Sequence, residues 1–253
     1  MLQNTVRVIT GANRGIGLEF VRQTLNRTDA NVIACCRDPD HAQDLHELKD
    51  HMYGDRVTIS KVDVSKQESI IHFCKHISEQ YDRVDHLINV AGILHDNTQM
   101  PERNIREIRR DWLTHTLQVN TIGPLMMTQG LFPLLKTNGT QRTPSVVANI
   151  SARVGSIGDN KLGGWYSYRI SKAALNMVTK NLSIEFKRSG IHVVSLHPGT
   201  TDTELSKPFQ KNVKPDKLFR TEFSVSKMYE IIEAITSETS GTFIAWDGKE
   251  IEW

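Results

Sequence analysis

The sequence predicts an α/β fold, a doubly wound parallel sheet of about seven strands with helices on both faces. Three observations lead there. Short β-branched, apolar runs recur along the chain, and each gives way to a stretch with helical spacing. The runs are nearly continuous in apolar residues, the pattern of strands covered on both sides. A glycine-rich turn from Gly11 to Gly17 ends the first run and opens the first helix.

The elements follow in order. Val6 to Thr10 is the first strand, and Ile16, Phe20 and Leu25 mark a helix over Gly15 to Asn26. Asn31 to Cys36 is a second strand, followed by a helix from His41 to His51. Arg56 to Ser60 is a third strand. Ser65 with Glu68 three residues on forms a capping-box pattern for a helix through Gln80. Val84 to Asn89 is a fourth strand. The charged stretch from Pro101 to Arg110 leads into a long helical region through Lys136. Ser145 to Ile150 is a fifth strand, and Tyr168 to Arg188 reads as an amphipathic helix. Ile191 to Leu196 is a sixth strand, ended by Pro198-Gly199. A helix near Ser226–Ser237 and a strand near Gly241–Trp246 finish the chain. No linker divides it, so a single domain is expected over residues 1–253.

Composition narrows the function. The 253 residues suffice for one core without staples, and 38% hydrophobic against 24% charged residues excludes disorder. Basic and acidic residues number 31 and 29, a net +2 that argues against nucleic acid as the partner. No apolar run approaches the ~18 residues of a membrane span. The N-terminal residues lack a leader pattern. Cys35, Cys36 and Cys74 contain no C-x-x-C, which fits a reducing compartment and predicts a cytoplasmic protein. His72 and His76 flank Cys74 without a third ligand, so no metal is expected.

The turn Gly11-Ala12-Asn13-Arg14-Gly15-Ile16-Gly17 carries the first chemistry. Glycines permit a tight turn and close approach of a pyrophosphate, and the following helix offers free N–H groups. The fold expected is therefore of the Rossmann type, although the G-x-x-x-G-x-G spacing differs from the usual dinucleotide fingerprint. A bare strand-to-helix turn is the other reading. The second strand ends at Arg37-Asp38. An acid there would meet a ribose hydroxyl, and an arginine a 2′-phosphate. Arg37 lies nearer the strand end and Arg14 sits in the turn, and two guanidiniums suit a dianion. NADPH/NADP+ is the expected cofactor, with NADH the weaker fit. A solvated Arg37 paired with Asp38 or Asp40 is the alternative.

Tyr168 and Lys172 lie four apart and share a helix face. A tyrosine near a reacting carbonyl is a proton donor once a nearby ammonium favours its phenolate. The pair opens the helix after the fifth strand, at the end of the sheet where such folds bind ligands.

These motifs, with Asn89-Val-Ala91-Gly92, Asn120, Asn149-Ile-Ser151 and Pro198-Gly199, resemble the short-chain dehydrogenase/reductase family in order and spacing over essentially the whole chain. Gly155 to Ile157, Gly163 to Tyr168 and the C-terminal Gly248 to Trp253 resemble its sniffer-type carbonyl reductase and C-factor branch. The resemblance implies Tyr168 as acid/base, with Lys172 binding the nicotinamide ribose and tuning it. Asn120 would hold a water in the proton relay. Asn89, Ala91 and Gly92 would line the cofactor, Asp63 and Val64 the adenine. Pro198, Gly199 and Thr201 would flank the nicotinamide, and Thr203 its carboxamide or the phosphates.

The family's serine pair departs here. Ser151 fills the first position and Ala152 the second, which is the catalytic one. Ser151 is taken as the catalytic hydroxyl, with Ser156 as the alternative. The lysine-rich segment near 203–222 falls where the family has a substrate lid; a solvated loop is the plain reading. The implied function is hydride transfer between NADPH and a small-molecule carbonyl or alcohol. The alternative is a dinucleotide-binding signalling or regulatory protein with little turnover. Family pairing of helices around 103–136 and 166–188 would make a homodimer or homotetramer.

Overall fold

Along the chain the strands are β1 (Val6–Thr10), β2 (Asn31–Cys36), β3 (Val57–Lys61), β4 (His86–Asn89), β5 (Ser145–Ile150), β6 (Ile191–His197), β7 (Thr200–Thr201), β8 (Leu218–Phe219) and β9 (Phe243–Ala245). The helices are α1 (Gly15–Arg27), α2 (Gln43–Glu47), α3 (Gln67–Gln80), α4 (Arg110–Leu117), α5 (Gly123–Leu135), α6 (Tyr166–Glu185) and α7 (Thr221–Glu233). The computed structural model describes residues 5–140 and 142–253. Residues 1–4, part of the stretch without a leader pattern, lie outside them.

Seven strands form one parallel sheet in the order β3-β2-β1-β4-β5-β6-β9, and β7 pairs with β8 apart from it. This is the doubly wound, Rossmann-type α/β fold. The apolar strand runs explain it, since both faces are covered. One face packs Ile9, Ala34, Ala148 and Val194 under Phe20 of α1 and Met228 of α7. The other packs Val8, Leu87, Val147 and Val193 under Phe73 of α3 and Leu131 of α5. Each such buried Val, Leu, Ile, Met or Phe side chain is worth roughly 1.5–3 kcal/mol. The strand order reverses between β1 and β4, so a crevice opens above their C-terminal ends.

Three local expectations change. The Ser65 capping box is not formed: Ser65 donates its hydroxyl to Asp63 Oδ1, and α3 starts at Gln67 without a side-chain cap. The local Asx-type turn out-competes the helix for that hydroxyl. The helix expected over His41–His51 is short, Gln43–Glu47, and runs on as a π-helical stretch through Tyr53. The long helical region is two helices, α4 and α5, joined by a π-helical turn at Gln118–Ile122. Among the described residues no helix is long and apolar enough to cross a membrane.

Candidate active site

The crevice is built first by the turn after β1. Gly11 has φ +65°, and a Cβ there would fall 2.9 Å from Ala91 Cα. A Cβ at Gly17 would fall 2.1 Å from the Gly11 carbonyl oxygen. Only glycine fits either position, and the turn is thereby pressed against the loop after β4. Thr10 Oγ1 ties the two together, accepting from the Val90 and Ala91 N–H groups at 3.0 and 3.2 Å. Ala12 N–H donates to Cys35 O of β2 at 3.0 Å.

The turn is open to an anion. Arg14 is the N-cap of α1 and gives it no side-chain cap, and no acidic residue occupies its first turn. Ile16 and Asn13 are half-buried beside it, and Arg14 is exposed. A Cβ at Gly15 would lie 3.4 Å from Thr203 Cγ2, so the segment after β6 faces the turn. A pyrophosphate fits this cradle, by shape and by the positive end of α1.

Arg37 is exposed at the end of β2, and among the described residues neither it nor Arg14 has an ion-pair partner. Asp38 binds His41 at 2.8 Å instead of Arg37. Asp63 follows β3. Burial raises its carboxyl, but hydrogen bonds from the Ser65 hydroxyl and N–H, with Lys66 and Arg37 nearby, outweigh that and hold it below the ordinary value. Val64 is buried, and its Cβ would touch a side chain placed at Gly123.

At the other wall, α6 carries Tyr168 and Lys172 on one face. Lys172 is buried and donates Nζ to the Ile150 carbonyl at 2.8 Å, the last residue of β5. Its Nζ lies 5.6 Å from the centre of the Tyr168 ring. Burial lowers the ammonium to about 8 and raises the Tyr168 hydroxyl well above its ordinary value. Asn120 sits in the π-helical turn. Its amide donates to the Ile93 carbonyl at 2.8 Å and to Ser171 Oγ at 3.0 Å, and its oxygen accepts the Ile93 N–H at 2.8 Å. A Cβ at Gly92 would stand 3.4 Å from Asn120 Oδ1 and 3.7 Å from Lys172 Nζ, so these residues converge.

Other residues turn elsewhere. Ser151 is buried and donates to Asn176 Oδ1 at 2.7 Å, one helical turn beyond Lys172. Ala152 carries no hydroxyl. Ser156 is buried, and its oxygen accepts the Asp159 N–H at 3.0 Å. Asn89 donates to Asn149 Oδ1 at 2.9 Å. Thr201 is buried and donates to Ser224 of α7 at 3.1 Å, near Pro198 and Gly199.

Two features escape the sequence reading. Trp165 adopts a left-handed backbone, φ +50°, directly before α6. Its ring lies 6.4 Å from that of Tyr168 and 4.9 Å from Phe209 in the 203–222 segment. Phe209 in turn meets His95 at 5.8 Å, and His95 Nε2 donates to the Leu205 carbonyl at 3.1 Å. This aromatic row flanks the crevice. Its only sequence signal is Gly163-Gly164, a turn signature, ahead of an aromatic residue. The second is Glu102, buried against the start of α6.

Comparison with known proteins agrees with this geometry. The short chain dehydrogenase family model matches residues 5–214. The chain is 32% identical to a 1-hydroxy-2-glutathionyl-2-methyl-3-butene dehydrogenase of Rhodococcus sp. (strain AD45), over 97% of this chain and 98% of that one. It is 34% identical to C-signal of Myxococcus xanthus, over 67% of this chain and 93% of that protein. The NADPH-bound carbonyl reductase from chicken fatty liver superposes with a TM-score of 0.87 at 32% identity, covering 100% of both chains. The carbonyl reductase Sniffer of D. melanogaster gives 0.85 at 28% identity, over 99% of this chain and 100% of that one. With the crevice, the glycine cradle and the Tyr168–Lys172 face in hand, the chain belongs to the short-chain dehydrogenase family and is an oxidoreductase of that type.

Proposed function

We propose that the protein is an NADPH-dependent carbonyl reductase, also running as an alcohol dehydrogenase in reverse, with Tyr168 as its acid and base. One observation carries this reading. The Tyr168–Lys172 face is anchored on the Ile150 carbonyl beside Gly92 and Asn120, across the crevice from the open glycine turn.

When bound, the nicotinamide supplies the hydride. The chain's residues do the rest. Gly11, Asn13, Gly15, Ile16 and Gly17 receive the pyrophosphate, while Arg14 and Arg37 grip the 2′-phosphate that distinguishes NADPH. Asp63 and Val64 border the adenine. Asn89, Ala91 and Gly92 border the ribose side, and Pro198, Gly199, Thr201 and Thr203 the nicotinamide side. The same arginines make NADH the weaker ligand.

Tyr168 meets the carbonyl oxygen. Its burial keeps the hydroxyl protonated in the free site, which suits an acid. Loss of that proton to the substrate leaves a phenolate, and the Lys172 ammonium beside the ring stabilises it. Asn120 holds the loop after β4 beside Lys172, from where it serves the proton relay. Ser151 would donate to the same oxygen after turning from Asn176.

The row His95, Phe209 and Trp165 suits a substrate with an apolar body, and the 203–222 segment serves as its lid. Support for one domain over residues 1–253 and for a cytoplasmic home comes from the undivided sheet and the free, buried cysteines. Ile170, Met177 and Ile184 are exposed along α6, which favours helix pairing into a homodimer or homotetramer.

A second reading has its own observation. Ala152 removes a hydroxyl and Ser151 spends its own on Asn176, which favours a dinucleotide-binding signalling or regulatory protein with little turnover. One assay separates the two. Loss of NADPH absorbance is followed with ketones, aldehydes and quinones, with NADH alongside. Turnover with an NADPH bias supports the reductase. NADPH binding without turnover on any of them supports the regulator, and binding of neither cofactor contradicts both.

A further inference from the structure

Glu102 lies outside every helix and strand, has no exposure to solvent, and has no part in the proposed chemistry. Both its oxygens close on the start of α6. One accepts the Ser167 hydroxyl, and the other accepts the Ser167 N–H at 3.2 Å. Its backbone carbonyl accepts the Trp165 N–H at 2.5 Å. Trp165, the N-cap of α6, provides no side-chain cap of its own. The cap therefore comes from a residue 65 positions away. A carboxylate there matches the positive end of a 20-residue helix and satisfies a donor that would otherwise be orphaned.

The next residue is Tyr168. On the other side, Trp165 holds a left-handed conformation that is costly for a bulky side chain. Such strain persists only where the surroundings over-determine it. Two groups do so here. Arg169 Nε donates to the Gly163 and Gly164 carbonyls at 3.2 and 3.1 Å, and Glu102 holds the Trp165 N–H. The Trp165 ring then stands between Tyr168 and Phe209.

We propose that Glu102 is a positioning residue: it fixes the first turn of α6, and through it the Tyr168 hydroxyl and the Trp165 wall. The proposal rests on the reading of Tyr168 as the acid. Nothing in the contacts of Glu102 touches the glycine turn, so its effect falls on the chemical step and spares cofactor binding.

The test compares Glu102→Ala, Glu102→Gln and Ser167→Ala with wild type. Steady-state kinetics, NADPH binding and amide hydrogen exchange at Ser167 are measured on each. Glu102→Ala is expected to lower kcat by about 10- to 100-fold, the cost of an acid misplaced by an ångström or less. The Kd for NADPH stays within about threefold, while KM for an apolar carbonyl rises as the Trp165 wall loosens. Exchange of the Ser167 amide rises by about tenfold or more. Glu102→Gln, whose amide oxygen still accepts the Ser167 N–H, restores kcat to within about threefold of wild type.

A folded Glu102→Ala with wild-type kcat overturns the proposal. So does an NADPH affinity that falls as far as kcat, or a Glu102→Gln no better than Glu102→Ala. If Glu102→Ala does not fold, Ser167→Ala decides. It removes one bond only, and kcat should fall by roughly 3- to 10-fold at unchanged KM; unchanged kcat overturns the proposal. Absence of wild-type turnover would sink the reductase reading alone, while the Ser167 exchange rate would still decide whether Glu102 holds the helix start.

Discussion

The two faces of the sheet differ most at the C-terminal ends of β5 and β6. Toward α1 and α7, Ala148, Ile150, Val194 and Leu196 end the strands in a dry layer against Phe20 and Met228. Toward α6, Asn149 and Ser195 take the corresponding positions. Asn89 donates to Asn149 at 2.9 Å, Asn149 donates to Thr179 of α6 at 2.9 Å, and Thr179 and Ser195 share a bond of 2.8 Å. All four are buried. Buried polar groups give little net stability even when satisfied, and cost much when they are not. What they provide is direction. An apolar layer tolerates small slips, whereas a ladder of hydrogen bonds holds α6 at one height on β5. Tyr168 and Lys172 ride on that helix. At these strand ends, therefore, the dry side carries stability and the wet side carries geometry.

The sharpest way to break this division is on the dry side. Phe20→Ala should cost about 3–5 kcal/mol in urea unfolding, as for other buried aromatic truncations. The folded fraction should keep its kcat within about twofold. A collapse of kcat without loss of stability would show that the dry face also sets geometry. On the wet side, Asn149→Leu should cost less, about 1–3 kcal/mol, since it leaves the Asn89 amide without its acceptor, while Thr179 keeps its bond to Ser195. It should nevertheless lower kcat by roughly tenfold. Equal kcat in that variant would reduce the ladder to core packing.

A signal spread over more than two pH units comes from Lys172. Burial lowers Lys172 from 10.5 to about 8, so the charged form is the disfavoured one in the folded protein. Below about pH 8 the full cost of burying the ammonium is present. Between there and 10.5 the unfolded chain binds more protons, so this cost is relieved as pH rises. Relative to Lys172→Met, wild type should therefore gain stability across that window, by at most about 1.4 kcal/mol per pH unit. Tyr168, raised by burial above its ordinary value of 10.0, works in the opposite sense at higher pH, so the comparison is read below that point. A difference that stays flat or falls would contradict the buried-ammonium account.

Local pattern made much of this legible in the sequence. The strands are apolar runs, and the glycine turn announces itself because Gly11 and Gly17 occupy positions no other residue fits. The Tyr168–Lys172 face follows from helical spacing alone. What stayed hidden depends on distant partners. Glu102 reads as one charge in a charged stretch, and its role appears only when Ser167, far along the chain, folds onto it. Ser151 matched a familiar position, yet its hydroxyl is drawn to Asn176, a contact between strand end and helix that spacing does not encode. Ser65 with Glu68 carried a helix-start pattern, and the neighbouring Asp63 took the hydroxyl first. The π-helical turn holding Asn120 has no sequence signature of its own.

The most direct test of the central claim is turnover of a carbonyl substrate by Tyr168→Phe, measured beside wild type at saturating NADPH. Removing the hydroxyl while keeping the ring should lower kcat by about 10²- to 10⁴-fold, the usual worth of a positioned acid, with unfolding and NADPH binding unchanged. A Tyr168→Phe variant that turns over within a few-fold of wild type would contradict the assignment of the acid and with it the mechanism built on α6.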